Sequence, residues 1–161
     1  MAETYWGIWN DVPSHLFRLG LAFILAVPVG WHRQRNERSV GLRTFPIVAI
    51  ASCGFAILAI EILGRNSPEQ ARILGGLIAG VGFLAGGTII SSGSSVHGTA
   101  TAASLWNIGI VGVAAGFGYY DLALILSIAN FGVLALITPL ERNDQPTVDT
   151  VVADRQEKQR K

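Results

Sequence analysis

Residues 80–90 read GVGFLAGGTII, and the first six fit G-x-G-x-x-[GA], the glycine fingerprint of a dinucleotide-binding turn. That fingerprint requires a strand before it, a helix opening at it and an acid about 20 residues further on. Here residues 73–79, ILGGLIA, are wholly apolar, and no Asp or Glu follows until Asp121. The context fails, so the glycines do not mark a phosphate cradle. They belong to a helix in lipid. From Ile73 to Tyr120 the chain holds no Asp, Glu, Lys or Arg, and after Asp121 the next charge is Glu141. Only 14% of the 161 residues are charged and the mean hydropathy is +0.45. Soluble domains carry roughly 25% charged residues. Charge gaps of this length leave the bilayer as the solvent.

Working outward, apolar segments occupy about 15–31, 44–63, 72–90, 99–117 and 121–139, each 17 to 20 residues long. A helix crosses a bilayer in roughly 17–25 residues. Backbone groups in hydrocarbon must be bonded within their own segment, which makes these segments helices. The fold class is therefore all-α integral membrane: a compact bundle of five transmembrane helices over 15–140, between an N-terminal extension at 1–14 and a polar tail at 141–161. The opening residues lack the basic stretch of a signal peptide, and Tyr5, Trp6 and Trp9 form an interfacial aromatic patch.

Lys and Arg set the orientation. Arg33, Arg35, Arg38 and Arg43 fall between the first two segments, and Arg142, Arg155, Lys158, Arg160 and Lys161 in the tail. Arg65 and Arg72 lie on the opposite side. The positive-inside bias then places the N-terminus outside and the C-terminus in the cytoplasm. A net charge of +1 gives no reason to expect a nucleic-acid partner, and a single cysteine, Cys53, permits no disulfide within the chain.

Gly76 and Gly80, Gly82 and Gly86, and Gly112 and Gly116 are each four apart. Small residues at that spacing share a helix face and let backbones approach closely. This predicts the third and fourth helices as the tight centre of the bundle.

Three stretches taken together resemble the MgtC/SapB family of small bacterial inner-membrane proteins. They are GLRT (Gly41, Leu42, Arg43, Thr44), GVGFLAGGTI (with Gly80, Gly82, Phe83, Gly86 and Gly87) and VHGTATAASLW (with Thr101, Ala102, Ala103, Ser104 and Trp106). The resemblance covers about residues 15–140. The chain departs from the family pattern at Gly30-Trp31-His32-Arg33-Gln34, where two acids are usual, and at Arg72-Ile73-Leu74-Gly75-Gly76, where a glutamine is usual. The resemblance implies a protein linked to survival under low magnesium or acid stress and to virulence, acting as a regulator of other membrane proteins, including ATP synthase, rather than as a magnesium carrier.

Charged and amide side chains inside spans are costly and need partners. Arg18, about one turn into the first helix, and Glu61, near the end of the second, either pair in the outer leaflet or snorkel separately. Asn107 and Asn130, at mid-depth, serve each other or a neighbouring helix. On the cytoplasmic side His32, Arg33, Arg35, Arg38 and Arg43 gather with His97 and the serines Ser91, Ser92, Ser94 and Ser95. That cluster has three readings: Arg43 capping the carbonyls that end the third helix, binding of anionic lipid, or a topology signal. Two histidines without a carboxylate suit neither magnesium nor zinc, and no serine has an acid-backed histidine. No catalytic group, metal or cofactor is expected, and the chain reads as a non-enzyme. Its expected partners are the lipid bilayer, another membrane protein and a second copy of itself. The alternative to a regulator is a small cation transporter or channel, which would need polar groups along a path.

Overall fold

A computed structural model of the chain describes residues 11–36, 41–92 and 95–136. They form five helices: α1 (Val12–Asn36), α2 (Thr44–Leu63), α3 (Gln70–Gly86), α4 (Thr99–Phe117) and α5 (Tyr120–Leu136). Between α3 and α4 lies an antiparallel hairpin, β1 (Ile90–Ser92) and β2 (Ser95–His97), with Ser91 opposite Val96. The aromatic patch at Tyr5, Trp6 and Trp9, Arg38, Ser94 and the tail all lie outside the described residues.

Apolar side chains occupy exposed as well as buried positions of the helices. In α2, Val48, Ala49, Cys53 and Ile57 are buried while Ile47, Phe55, Leu58 and Ile62 are exposed. A helix with no polar face belongs in a membrane or a large core. Among the described residues α1, α2 and α4 are long and apolar enough to cross a membrane. The helices α3 and α5 are equally apolar but have 17 residues each, about 26 Å at ~1.5 Å per residue.

Successive helices run in opposite directions. The N-terminal end of α1 lies beside the C-terminal ends of α2 and α4, where His15 Nε2 is 3.8 Å from Glu61 and Arg18 bonds to Gly116. The C-terminal end of α1 lies beside the starts of α2 and α4, where a Cβ on Gly30 would come 3.2 Å from Phe45 and Arg33 bonds to Thr101. The bundle thus has a Glu61 end and an Arg33 end, and the hairpin sits at the latter.

The centre of the bundle is α4, with Leu105, Ile108, Val111 and Ala115 all buried. Its closest neighbour is α2, not α3 as the glycine spacing suggested. A Cβ on Gly112 would collide with the Ala49 carbonyl oxygen, and one on Gly116 would lie 2.6 Å from Ala56 Cβ and 2.7 Å from Cys53 O. The α3 glycines face the other way. A Cβ on Gly76, Gly80 or Gly86 would meet nothing within 4 Å, and one on Gly82 only Trp106 Cδ1 at 4.0 Å. The α3–α4 contact is inverted from the expected one: Val81 of α3 enters the notch left by Gly109 of α4, 2.9 Å from where a Cβ would be.

The third segment also ends sooner than its hydropathy suggested. The helix stops at Gly86, where Gly87 follows and Thr88 Oγ1 donates to Ala85 O at 2.7 Å, so residues 87–88 turn and Ile90 enters β1. Paired glycines and a threonine that bonds its own backbone both weaken a helix. The hairpin closes on Gly98, whose φ of +87° and proximity to the Thr88 carbonyl oxygen admit no side chain.

Candidate functional site

In hydrocarbon a polar side chain must be bonded by the protein, so the polar groups inside the bundle show how it is tied together. They form a seam along α1, α4 and α5. At the Arg33 end, Arg33 is 1% exposed and its Nη2 donates to Thr101 Oγ1 in the first turn of α4. One turn deeper on the same α4 face, Ser104 Oγ donates to Asn130 Oδ1 at 2.9 Å, and Asn130 Nδ2 donates back to Ser104 O at 3.2 Å. Ser127, one turn before Asn130, donates to the Leu25 carbonyl of α1 at 2.7 Å. Pro28 leaves the Ile24 carbonyl, in the same turn, without its helical donor. His32 Nε2, as the protonated nitrogen, donates to Leu134 O at 3.2 Å, with its ring edge-on to Phe131.

At the opposite end two arginines serve the same helix terminus. Arg18 Nη1 donates to Gly116 O at 2.8 Å and Arg65 Nη1 to Phe117 O at 3.3 Å. The last carbonyls of α4 have no partner within the helix and carry its negative dipole end, which suits cations.

Of the two readings of Arg18 and Glu61, the pair is not formed: Arg18 turns inward to α4, while Glu61, half exposed, faces His15. Nor do Asn107 and Asn130 serve each other. Asn130 is fully engaged with Ser104, and Asn107 Oδ1 is buried with no hydrogen-bond partner among the described residues. His32 turns into the bundle whereas His97 is exposed on β2. Arg43 is exposed at the start of α2, and its side chain has no hydrogen bond among the described residues, to α3 or elsewhere.

The sequence motifs acquire structural roles. GLRT is the turn that seats α2 on α1: Leu42 N donates to Gln34 Oε1 at 2.9 Å, Thr44 N donates to Gly41 O at 3.0 Å, and Gly41 lies against the Gln34 side chain. In the third motif Thr101, Ala102 and Ser104 face the interior, while Ala103 and Trp106 are exposed. Phe83 and Gly87 are exposed as well. Sequence reasoning missed the roles of Arg33 and Ser127. Ser127 and Asn130 are three apart, as are Thr101 and Ser104, and that shared-face spacing was the available signal.

A family model described as MgtC family matches residues 19–143, most of the chain and all of this seam. The chain belongs to the MgtC family. It is 37% identical over 146 residues to the uncharacterized protein slr0014 of Synechocystis, covering 88% of this chain and 59% of that protein. It is 34% identical over 133 residues to Protein MgtC of Brucella abortus (83% and 55% covered) and 30% identical over 120 residues to Protein SapB of Bacillus subtilis (70% and 51% covered). The chain thus spans between half and three-fifths of the length of these relatives. No solved structure gives a significant match. The MgtC-family chain is a helical membrane protein whose described residues contain no cluster of three metal-ligating side chains.

Proposed function

We propose that this chain is a five-span inner-membrane protein, with its N-terminus outside and its C-terminus cytoplasmic, that regulates other membrane proteins during adaptation to low magnesium, acid stress or virulence. It has no enzymatic activity. Family membership supports the physiological setting, through relatives named MgtC and SapB. The observation that carries the regulator reading is the seam: Thr101, Ser104, Ser127 and Asn130 are spent on neighbouring helices, where they rigidify the bundle rather than line a path. In the sequence, the arginines between α1 and α2 and the basic residues that follow α5 support the orientation.

The test is growth of a strain lacking the gene at low magnesium and low pH, complemented by the wild-type gene, with crosslinking in the membrane. The regulator reading expects a growth defect and crosslinks to a defined membrane protein, and recovery of lipid alone defeats it. One observation favours the cation-transport alternative, the unpartnered Asn107 Oδ1 in mid-helix. Cation flux in proteoliposomes that Asn107→Leu abolishes would establish that alternative.

A further inference from the structure

Between α2 and α3 lies an open groove of about 600 Å³, walled by Val48, Ser52 and Phe55 on one side and Leu77 and Leu84 on the other. Its volume is in the roughly 300–1,000 Å³ range of ligand sites. Gly76 and Gly80 also line it, and neither has a protein atom within 4 Å of where its Cβ would be. The groove thus owes part of its depth to two missing side chains. Along α3 it runs from Arg72 to Leu84, 12 residues apart, or about 18 Å at ~1.5 Å per residue. One leaflet's hydrocarbon is about 15 Å thick, half of the ~30 Å core. Arg72, in the first turn of α3, is exposed and has no hydrogen-bond or ion-pair partner among the described residues.

We propose that this groove is a phospholipid site, taking one acyl chain of an anionic lipid along its glycine floor and holding the phosphate at Arg72. An apolar channel one leaflet long, with a planar cation at its end, matches a chain and a phosphate group. A void beside a membrane helix is filled by whatever restores dispersion contacts, and the lipid tail is the apolar group always at hand. A partner helix would also cover the glycines, but it gives Arg72 no role.

The full chain, purified in dodecyl maltoside, is loaded with dioleoyl-phosphatidylglycerol or dioleoyl-phosphatidylcholine and retention is read by native mass spectrometry. One cation near the surface is worth ~1 kcal/mol for an anionic lipid, a preference of about fivefold. The wild type retains one phosphatidylglycerol with that preference. Gly76→Leu and Gly80→Leu fill the groove and lose both lipids, and Arg72→Gln levels the preference. Gly20→Leu on α1, also with nothing within 4 Å of its Cβ, retains the lipid as the wild type does. The proposal is overturned if Gly80→Leu keeps normal helicity and retains phosphatidylglycerol undiminished, or if the wild type does not distinguish the lipids. It is equally overturned if Gly80→Leu releases a second copy or a co-purified membrane peptide while lipid retention is unchanged. Should both leucine variants fail to fold, Arg72→Gln decides: an unaltered preference overturns the assignment.

Discussion

Adding one methyl group at Gly112 or Gly116 tests which helix pair forms the centre. At Gly116 the new carbon would lie 2.6 Å from Ala56 Cβ and 2.7 Å from Cys53 O, where ordinary contact begins at 3.4 Å. The two helices must therefore separate locally by about 0.8 Å, and a gap of ~0.5–1 Å forfeits a quarter to a half of each contact's attraction. At Gly112 the obstacle is the Ala49 carbonyl oxygen with Ser52 Cβ at 2.9 Å, and a backbone atom cannot rotate aside. Overpacking costs typically ~1–3 kcal/mol, and fixed neighbours put both substitutions near the top of that range, at about 2–3 kcal/mol each. One separation relieves both collisions, so Gly112→Ala with Gly116→Ala costs about 3–4 kcal/mol, short of the sum. Gly80→Ala, with open space around it, stays within about 0.5 kcal/mol of wild type. Equilibrium unfolding in mixed dodecyl maltoside and dodecyl sulfate micelles, followed by helicity, reads all four. A Gly80→Ala cost equal to or above that of Gly112→Ala refutes the α2–α4 centre and restores the α3 glycines to it.

The polar ties make further predictions. Ser104→Ala and Asn130→Ala are coupled by about 0.6 kcal/mol in a double-mutant cycle, with ~1.7 as the ceiling for such pairs in a membrane, whereas Asn107→Ala and Asn130→Ala are additive. Thr101→Val loses about 1 kcal/mol by the same unfolding assay, since it removes a partner of a buried cation but keeps its shape. Arg18→Ala and Glu61→Ala are additive in detergent stability, because Arg18 bonds to Gly116 O rather than to the carboxylate; a coupling above about 0.5 kcal/mol would show that they pair.

The helices were legible because an apolar run near 20 residues long has few other physical meanings. What covers each helix was not. Spacing of four identifies residues that share a face, but it does not say which helix approaches that face. Gly80 and Gly112 look alike in sequence, and only Val81 and the Ala49 backbone separate their roles. The arginines at 33, 35 and 43 are likewise equivalent as text. Arg33 alone among these meets a threonine 68 positions away, while Arg35 lies 5.3 Å over the Trp31 ring on the surface. Asn130 was visible as a polar residue needing a partner, but its partner is Ser104, a residue noted only for its place in a motif. The end of α3 falls short of the apolar run because hydropathy does not register that Gly86, Gly87 and Thr88 prefer a turn.

The distribution of ties also predicts which helix moves. The helices α1, α4 and α5 are joined by hydrogen bonds, and α2 is locked to α4 by close glycine contact. Among the described residues α3 is tied to a neighbouring helix only at its start, where Gln70 donates to the carbonyl of Gly64, the cap of α2; from Leu77 to Gly86 it has no hydrogen bond to another helix. It rests on α4 through Val81 in the Gly109 notch and through buried Ala85. Lipid is as apolar as leucine, so no hydrophobic drive holds α3 in place, only the fit of these side chains. Its backbone should therefore open at lower free energy than that of α4. In hydrogen-exchange mass spectrometry of the micellar protein, peptides from 77–86 exchange faster than those from 105–114. Val81→Ala removes the side chain that fills the notch, forfeiting on the order of ten atom contacts or about 1 kcal/mol of dispersion, and speeds α3 exchange about fivefold while leaving α4 unchanged. If both helices instead exchange at one rate and the substitution speeds them equally, the bundle opens as a single unit and α3 is not its mobile element.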